Sequence, residues 1–301
     1  MSLGAPEQLQ AIDACALCGA TERTPRFSQP PFEVVCCNGC GLVYVTPRLR
    51  PDVLPEVYGS DYWQSDEPSA RGYADYAKDA PLYLKTFEKR LDFVERFAPR
   101  RGRALDVGCA AGFFLKVLRD RGWQADGVEL SPAIASHARE VYGFHDVHVG
   151  ELETAPFPEA SYDLVTLWDV VEHVPDPVAL LRRAAGFLRA GGRLVVETQN
   201  VASPFARALG SRWHHYKHLE HLYHFEPRTL RRLLERAGLE VETNTWRHAG
   251  KHVSLAFVRE RVTRLHPLAS RLLAPLAPLD RLSAYVNPGD EMIAIARKAD
   301  A

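Results

Sequence analysis

Five of the six cysteines fall between Cys15 and Cys40. Cys15-Ala-Leu-Cys18-Gly and Cys37-Asn-Gly-Cys40-Gly are two Cys-x2-Cys pairs, a spacing that lets two short knuckles place four thiolates at the corners of a tetrahedron around zinc. The glycine after each pair relieves a tight turn of Cβ clashes. Free core cysteines would need no paired spacing, so a structural zinc held by Cys15, Cys18, Cys37 and Cys40 is expected. Cys36 is a spare that could replace Cys37 only by stretching the second pair.

A second constellation begins at Leu105-Asp106-Val107-Gly108-Cys109-Ala110-Ala111-Gly112-Phe113. It reads as the end of a strand, a turn in which two glycines let a ligand approach the backbone, and a helix N-terminus with unpaired N–H groups. Beyond it, at the end of the next strand, Gly127-Val128-Glu129-Leu130-Ser131 offers a carboxylate that can accept hydrogen bonds from both hydroxyls of a ribose. The third constellation is Arg212-Trp213-His214-His215-Tyr216-Lys217-His218-Leu219-Glu220-His221-Leu222-Tyr223-His224-Phe225, where five histidines crowd into one segment. Histidine titrates near neutrality and suits proton transfer. His214, His215 and His224 read as solvated or packed loop residues, while His221, beside Glu220, is the leading candidate for a base.

The elements that must position these groups follow from periodicity. From Pro81, Leu84, Phe87, Leu91 and Val94 share one helical face, and Pro99 helps to stop the helix. Arg103 to Val107, Gln124 to Val128, Asp146 to Val149, Tyr162 to Leu167 and Arg193 to Glu197 read as strands. Residues 112–121, 132–142, 177–188 and 227–237 read as helices between them. That alternation predicts an α/β domain with a mostly parallel sheet. A strand over Leu239 to Trp246, a proline-broken helical stretch over 252–284 and a last strand over Met292 to Ala296 complete it. Residues 1–47 are expected to be a zinc ribbon, 48–81 a linker or lid, and 82–301 the α/β domain.

Composition narrows the partners. Thirty-seven Lys and Arg against 38 Asp and Glu give a net charge of -1, without the positive excess that drives binding to phosphate backbones. The longest charge-free run, Val34 to Pro47, is too short for a spanning helix. No secretory pattern stands at the N-terminus, so a cytosolic location is expected.

The chain resembles the class I S-adenosylmethionine-dependent methyltransferases. LDVGCAAGFF is similar to their first motif and GVELS to their ribose-binding motif. Gly150-Glu151-Leu152 resembles their adenine-contacting segment, FPEASYDLVTLWDVVEHVPDP their fourth-strand motif, and LRAGGRLVVETQN their fifth-strand turn. Ala110 stands where the family most often has glycine. The resemblance covers Leu82 to Lys298 and implies a Rossmann-like seven-stranded sheet with helices on both faces. It also implies S-adenosylmethionine contacts from Asp106, Gly108, Cys109, Gly112, Glu129, Leu130, Glu151, Leu152 and Trp168. A nicotinamide dinucleotide is the competing ligand, but Asp-x-Gly-x-x-x-Gly is not the Gly-x-Gly-x-x-Gly that pyrophosphate requires.

Asp169-Val-Val-Glu172-His173-Val-Pro-Asp-Pro is similar to the ubiquinone-type O-methyltransferases and their relatives in metabolite tailoring. Methylation of a small-molecule, saccharide or carrier-linked acceptor, at oxygen, is the expected activity. Catalytic roles are expected for His221 as base, with Tyr223 or His218 as helper, and for His173 and Asp169. The resemblance further implies that Asp169, Glu172 and His173 could hold Mg²⁺ against the acceptor. A ribbon before such a domain also occurs in sugar C-methyltransferases and ribosomal RNA methyltransferases. An RNA-gripping ribbon predicts basic clustering, whereas this one has Arg23 and Arg26 against Glu22 and Glu33. A non-enzymatic scaffold with a degenerate cofactor fold would not need Asp106, Gly108, Gly112, Glu129 and Glu151 together.

Overall fold

The computed structural model describes residues 3–59, 62–63, 79–265 and 273–299. The N-terminal part holds β1 (Leu9–Gln10), β2 (Arg23–Gln29), β3 (Phe32–Cys37), β4 (Val43–Thr46) and β5 (Arg48–Leu49). β3 and β4 carry alternating β-branched and aromatic residues, and Val34, Val35, Val43, Tyr44 and Val45 are all buried. Of the linker or lid over 48–81, β5 and a 3-10 helix at Leu54–Tyr58 are described, and Val53, Leu54 and Val57 pack into the main core. Residues 60–61 and 64–78 of that segment lie outside the described residues.

Helix α1 (Ala80–Val94) buries Phe87, Leu91 and Val94. Pro81 sits in its first turn, where a missing N–H costs nothing. The α/β body follows with β6 (Arg103–Val107), α2 (Phe113–Asp120), β7 (Gln124–Glu129), α3 (Pro132–Tyr142), β8 (His148–Val149), β9 (Tyr162–Trp168), α4 (Pro177–Phe187) and β10 (Leu188–Gln199). After it come α5 (Pro204–Leu209), β11 (Tyr223–His224), α6 (Pro227–Arg236) and β12 (Leu239–Thr245). Asp176 caps α4 by accepting from the Ala179 N–H at 2.9 Å.

The chain ends with β13 (Lys251–Ser254), α7 (Leu255–Leu265), β14 (Ser283–Val286) and β15 (Glu291–Lys298). The proline-broken helix expected over 252–284 is therefore corrected. Lys251–Ser254 and Ser283–Val286 pair as an antiparallel two-stranded sheet, with α7 and a 3-10 helix at Ala274–Leu279 inset between them. The pair docks on α1, where Thr86 Oγ1 accepts the His252 N–H at 2.8 Å, a contact no local period announces.

The main sheet runs β12-β15-β10-β9-β6-β7-β8. β15 alone is reversed, pairing antiparallel with both β10 and β12, and the rest is a Rossmann-like parallel sheet. Its two faces bury separate cores. Leu91, Phe113, Phe114 and Trp168 pack on one, and Leu181, Phe187, Leu233 and Leu234 on the other. The second core is continuous with Leu17, Val35 and Tyr44 of the N-terminal sheet. Ligands in such folds bind beyond the carboxyl ends of the parallel strands, and there the cleft opens.

Candidate active site

At the end of β6, Asp106 is buried and accepts from Thr166 Oγ1 on the neighbouring strand at 2.6 Å. Burial raises its pKa from the usual carboxylate range to about 7, with the Thr166 hydrogen bond opposing and the Glu129 charge adding to the rise. Gly108 and Gly112 both have positive φ, at 73° and 80°. A Cβ on Gly108 would meet Val170 Cγ2 at 2.7 Å, and one on Gly112 would meet Ala138 Cβ at 2.8 Å, so the turn is cut to glycine by its neighbours as well as by its backbone. Ala110, where the resemblance shows a departure from glycine, holds φ 46°.

Glu129 ends β7 with one oxygen on the Ala110 N–H at 2.9 Å and the other on the Ser131 N–H at 2.8 Å. Those bonds pin the carboxylate while leaving each oxygen a lone pair for a further donor. Burial pushes its pKa up, and the backbone donors pull it back. Asp106, Gly108, Cys109, Glu129, Leu130, Glu151, Leu152 and Trp168 all line one cleft of about 2640 Å³. Gly112 stands behind its wall as the residue before α2. A volume that large exceeds a single small-ligand site and leaves room for a second molecule beside a nucleoside.

The opposite wall carries the imidazoles. His173 and His221 meet edge to face with ring centroids 4.7 Å apart. His221 Nδ1 lies 2.6 Å from the His215 carbonyl oxygen. A carbonyl can only accept, so Nδ1 bears the proton and Nε2 of the neutral ring is the basic nitrogen. His173 Nδ1 pairs with the Tyr58 hydroxyl at 3.0 Å. Burial drives the pKa of both histidines down, that of His221 well below the imidazole value, with the neighbouring His173 and Lys217 adding to it.

Between and behind these rings lies Glu172, buried, with Oε2 lacking a hydrogen-bond partner. Possible ligand atoms of Glu172, His173 and His221 lie within 4.8 Å of one another, and Asp169 is not a member of that group. Asp169 takes φ 53° at the end of β9 and lines the cleft, while its N–H donates to the Glu197 carbonyl.

The N-terminal sheet reaches this wall directly. Its strand order is β11-β4-β3-β2, so the strand that follows His221 is an edge of the cysteine-bearing sheet. Tyr223 pairs with Tyr44 and His224 with Val43, and the Val45 N–H donates to the Leu222 carbonyl at 3.0 Å. On the other side the Leu222 N–H donates to the Glu172 carbonyl at 2.9 Å. Arg48 donates to the Pro175 carbonyl and lies over the Tyr223 ring.

The four cysteines Cys15, Cys18, Cys37 and Cys40 converge with their sulfurs within 4.8 Å of one another. Cys15 to Cys40 and Cys18 to Cys37 are each 3.5 Å, close to the ~3.8 Å edge of a tetrahedron with Zn–S bonds of about 2.3 Å. The two knuckles are alike. The Gly19 N–H donates to the Cys15 carbonyl and the Gly41 N–H to the Cys37 carbonyl, at 2.8 and 2.9 Å. The donor set fits zinc, and Cys36 stays outside it, its thiol toward the Gly41 carbonyl.

The methyltransferase domain family matches residues 76–244. The chain belongs to the methyltransferase domain family. A ubiquinone biosynthesis O-methyltransferase of Xanthomonas axonopodis pv. citri is 33% identical over 170 residues, covering 51% of this chain and 69% of that protein. Its counterpart in Xanthomonas euvesicatoria pv. vesicatoria is 32% identical over 197 residues, covering 60% and 76%.

Phosphoethanolamine N-methyltransferase 2 of Haemonchus contortus, solved with S-adenosyl-L-methionine, shares the fold at a TM-score of 0.50 and 16% identity over 86% of this chain and 63% of that one. A chain of the Haloferax volcanii complex between the Trm112 methyltransferase activator and a methyltransferase does so at 0.50 and 15%, over 80% and 98%. The protein is thus an S-adenosylmethionine-dependent methyltransferase. No described helix is long and apolar enough to cross a membrane.

Within this methyltransferase, two expected helpers stand away from the cleft. His218 turns toward the cysteine-bearing sheet, with Nε2 3.1 Å from Gln29 Oε1 and its ring against Phe27 and Phe32. Tyr223 is buried, and its hydroxyl donates to the Pro175 carbonyl at 2.7 Å. Neither lines the cleft, which corrects the expectation of a helping role: His218 sits in a turn packed on the cysteine-bearing sheet, and Tyr223 is held in the pairing of β11 with β4. His224 is likewise buried, beside Trp213 and Tyr216.

Further residues without a role in the sequence analysis line the same cleft: Tyr58, Arg90, Lys251, Asp290 and Glu291. Arg90 forms a buried ion pair with Glu197 and lies 3.6 Å from Glu291, which also pairs with Lys251. A signal for Arg90 existed. It falls three residues after Phe87, on the stripe that α1 buries.

Proposed function

We propose that the chain methylates an oxygen of a small-molecule, saccharide or carrier-linked acceptor, with His221 as general base. The observation that carries this reading is the pinned tautomer of His221, whose Nδ1–H is spent on the His215 carbonyl and whose Nε2 is left basic in the cleft that the loop after β6 also lines. When bound, S-adenosylmethionine supplies an electrophilic methyl group on a sulfonium. Glu129 would hold the ribose hydroxyls. Gly108, Cys109 and Gly112 would line the close approach of the backbone, with Asp106, Leu130, Glu151, Leu152 and Trp168 around the remainder. Their fit rests on the Glu129 carboxylate pinned at the cleft by two backbone donors and on the buried Trp168 Nε1, which lacks a hydrogen-bond partner.

The acceptor hydroxyl would lose its proton to His221 Nε2, and the His173 ring, anchored by Tyr58, would keep that imidazole from rotating. The named O-methyltransferase relatives support oxygen as the accepting atom. A base is favoured over a Mg²⁺ site because the group that converges offers two imidazoles and one carboxylate, and Mg²⁺ prefers an octahedron of oxygens. Residues 1–47 serve as a structural zinc ribbon, 48–81 join it to the catalytic domain 82–301, and 54–58 supply Tyr58 to the wall.

The test is transfer of labelled methyl to acceptor pools by the wild type and His221→Ala. The variant is expected to bind S-adenosylmethionine with unchanged affinity and to lose turnover by ~10²-fold or more. Full turnover in the variant would overturn the assignment. Activity that survives exhaustive EDTA treatment with ribbon zinc intact would confirm that no second metal carries the step.

A further inference from the structure

The acceptor end of the cleft holds a second convergence of ligand-type side chains, separate from the ribbon and from the Glu172, His173 and His221 group. His214 and His215 follow the 3-10 turn at Gly210–Arg212, and Asp290 precedes β15. Ligand atoms of these three residues lie within 4.8 Å of one another. His214 Nε2 and His215 Nε2 are each 3.8 Å from Asp290 Oδ2, and His215 Nε2 is 3.6 Å from Glu291 Oε1. Those separations are too long for hydrogen bonds. They approach the ~3.3–3.6 Å between neighbouring ligand atoms around a cation with bonds of about 2.0–2.2 Å.

Charge points the same way. Asp290 is 3% exposed, and among the described residues it forms no ion pair with Lys or Arg. Its neighbour Glu291 is matched by Lys251 and Arg90. The buried His215 Nε2 lacks a hydrogen-bond partner, which leaves that ring nitrogen available as a ligand. Asp290 is also held in place from behind, as metal-binding carboxylates are: Trp213 Nε1 donates to Oδ2 at 3.0 Å, and the Asn200 N–H donates to the Asp290 carbonyl at 2.7 Å.

We infer that His214, His215 and Asp290 form a binding site for a divalent cation of the imidazole-favouring class, such as Zn²⁺ or Co²⁺, with a coordination position open to the cleft. All three residues line the cleft, so the open position faces the acceptor. The site also reaches the base. The carbonyl that receives His221 Nδ1–H belongs to His215, so a cation on the His215 ring stiffens the residue that sets the tautomer of His221.

The experiment loads the ribbon with zinc to about one per chain and then titrates the protein with Co²⁺ by calorimetry and visible absorption. About one further Co²⁺ is expected, with ligand-field bands but without the intense thiolate charge-transfer bands of a cysteine site. His215→Ala and Asp290→Asn are expected to weaken it about tenfold or more, with S-adenosylmethionine affinity and ribbon zinc content as checks of the fold. His214→Ala, whose side chain is 33% exposed, keeps the test open if a buried variant fails to fold. Absence of a second Co²⁺ overturns the site. So does binding that Glu172→Gln abolishes and His215→Ala leaves unchanged, since the ion would then belong to the other group.

Discussion

His221 and His173 share a wall of the cleft, and the tautomer of His221 is set by the His215 carbonyl. Its pKa is driven well below the ordinary imidazole value by burial, so the ring is already neutral at pH 6.5. Lowering the pH from 8 to 6.5 should therefore leave kcat level, and the acid limb of the profile should lie below pH 6.5. A limb at or above 6.5 would assign the proton transfer to a different, solvated group.

The turn proposed to hold the cofactor was legible in the sequence because Asp106 to Gly112 is one turn and Glu129 ends the next strand. Their chemistry depends on local spacing. The acceptor wall was less legible. Tyr58, His173, the pair His215 and His221, and Asp290 come from four segments that only the tertiary fold brings together. His218 and Tyr223 share the histidine-rich segment but face the other way.

At the scale of elements, the helices and parallel strands follow their periods, and the misreading over 252–284 arose where strand pairing overrode local helix pattern. Pairing of β11 with β4 was equally invisible, since nothing in Tyr223–His224 announces a partner so far away in the chain. That pairing has a consequence for the ribbon. The proposed zinc would close the knuckle after β3, β3 pairs with β4, and β4 pairs with the strand that follows His221. Cys40→Ser should raise hydrogen exchange of the 216–225 amides and depress methyl transfer while leaving S-adenosylmethionine affinity near wild type. Exchange in that segment equal to wild type would show the ribbon to be uncoupled from the wall.

Helix α1 carries a different load through Arg90. Replacing it by Met removes the ion-pair partner that Glu197 has among the described residues and leaves that carboxylate buried, with Glu291 still paired to Lys251, a loss of about 3–5 kcal/mol. Denaturant unfolding of Arg90→Met reads this directly. A change within about 0.5 kcal/mol would mean that the pair is hydrated.

At the scale of the whole molecule, one cleft has two walls built by different means. A compact strand-turn-helix unit makes the wall proposed for the cofactor, and the segment that leads into β11, together with the start of β15, lines the wall proposed for the acceptor. The central claim is that S-adenosylmethionine is held by the loop after β6 and by Glu129. Calorimetric titration of S-adenosylmethionine into the wild type and Glu129→Ala tests it most directly. The claim predicts binding to the wild type at about one per chain and a loss of roughly tenfold or more in the variant, as expected for lost hydrogen bonds to a charged group worth about 1.5–3 kcal/mol. Equal affinity in a folded Glu129→Ala protein would contradict it.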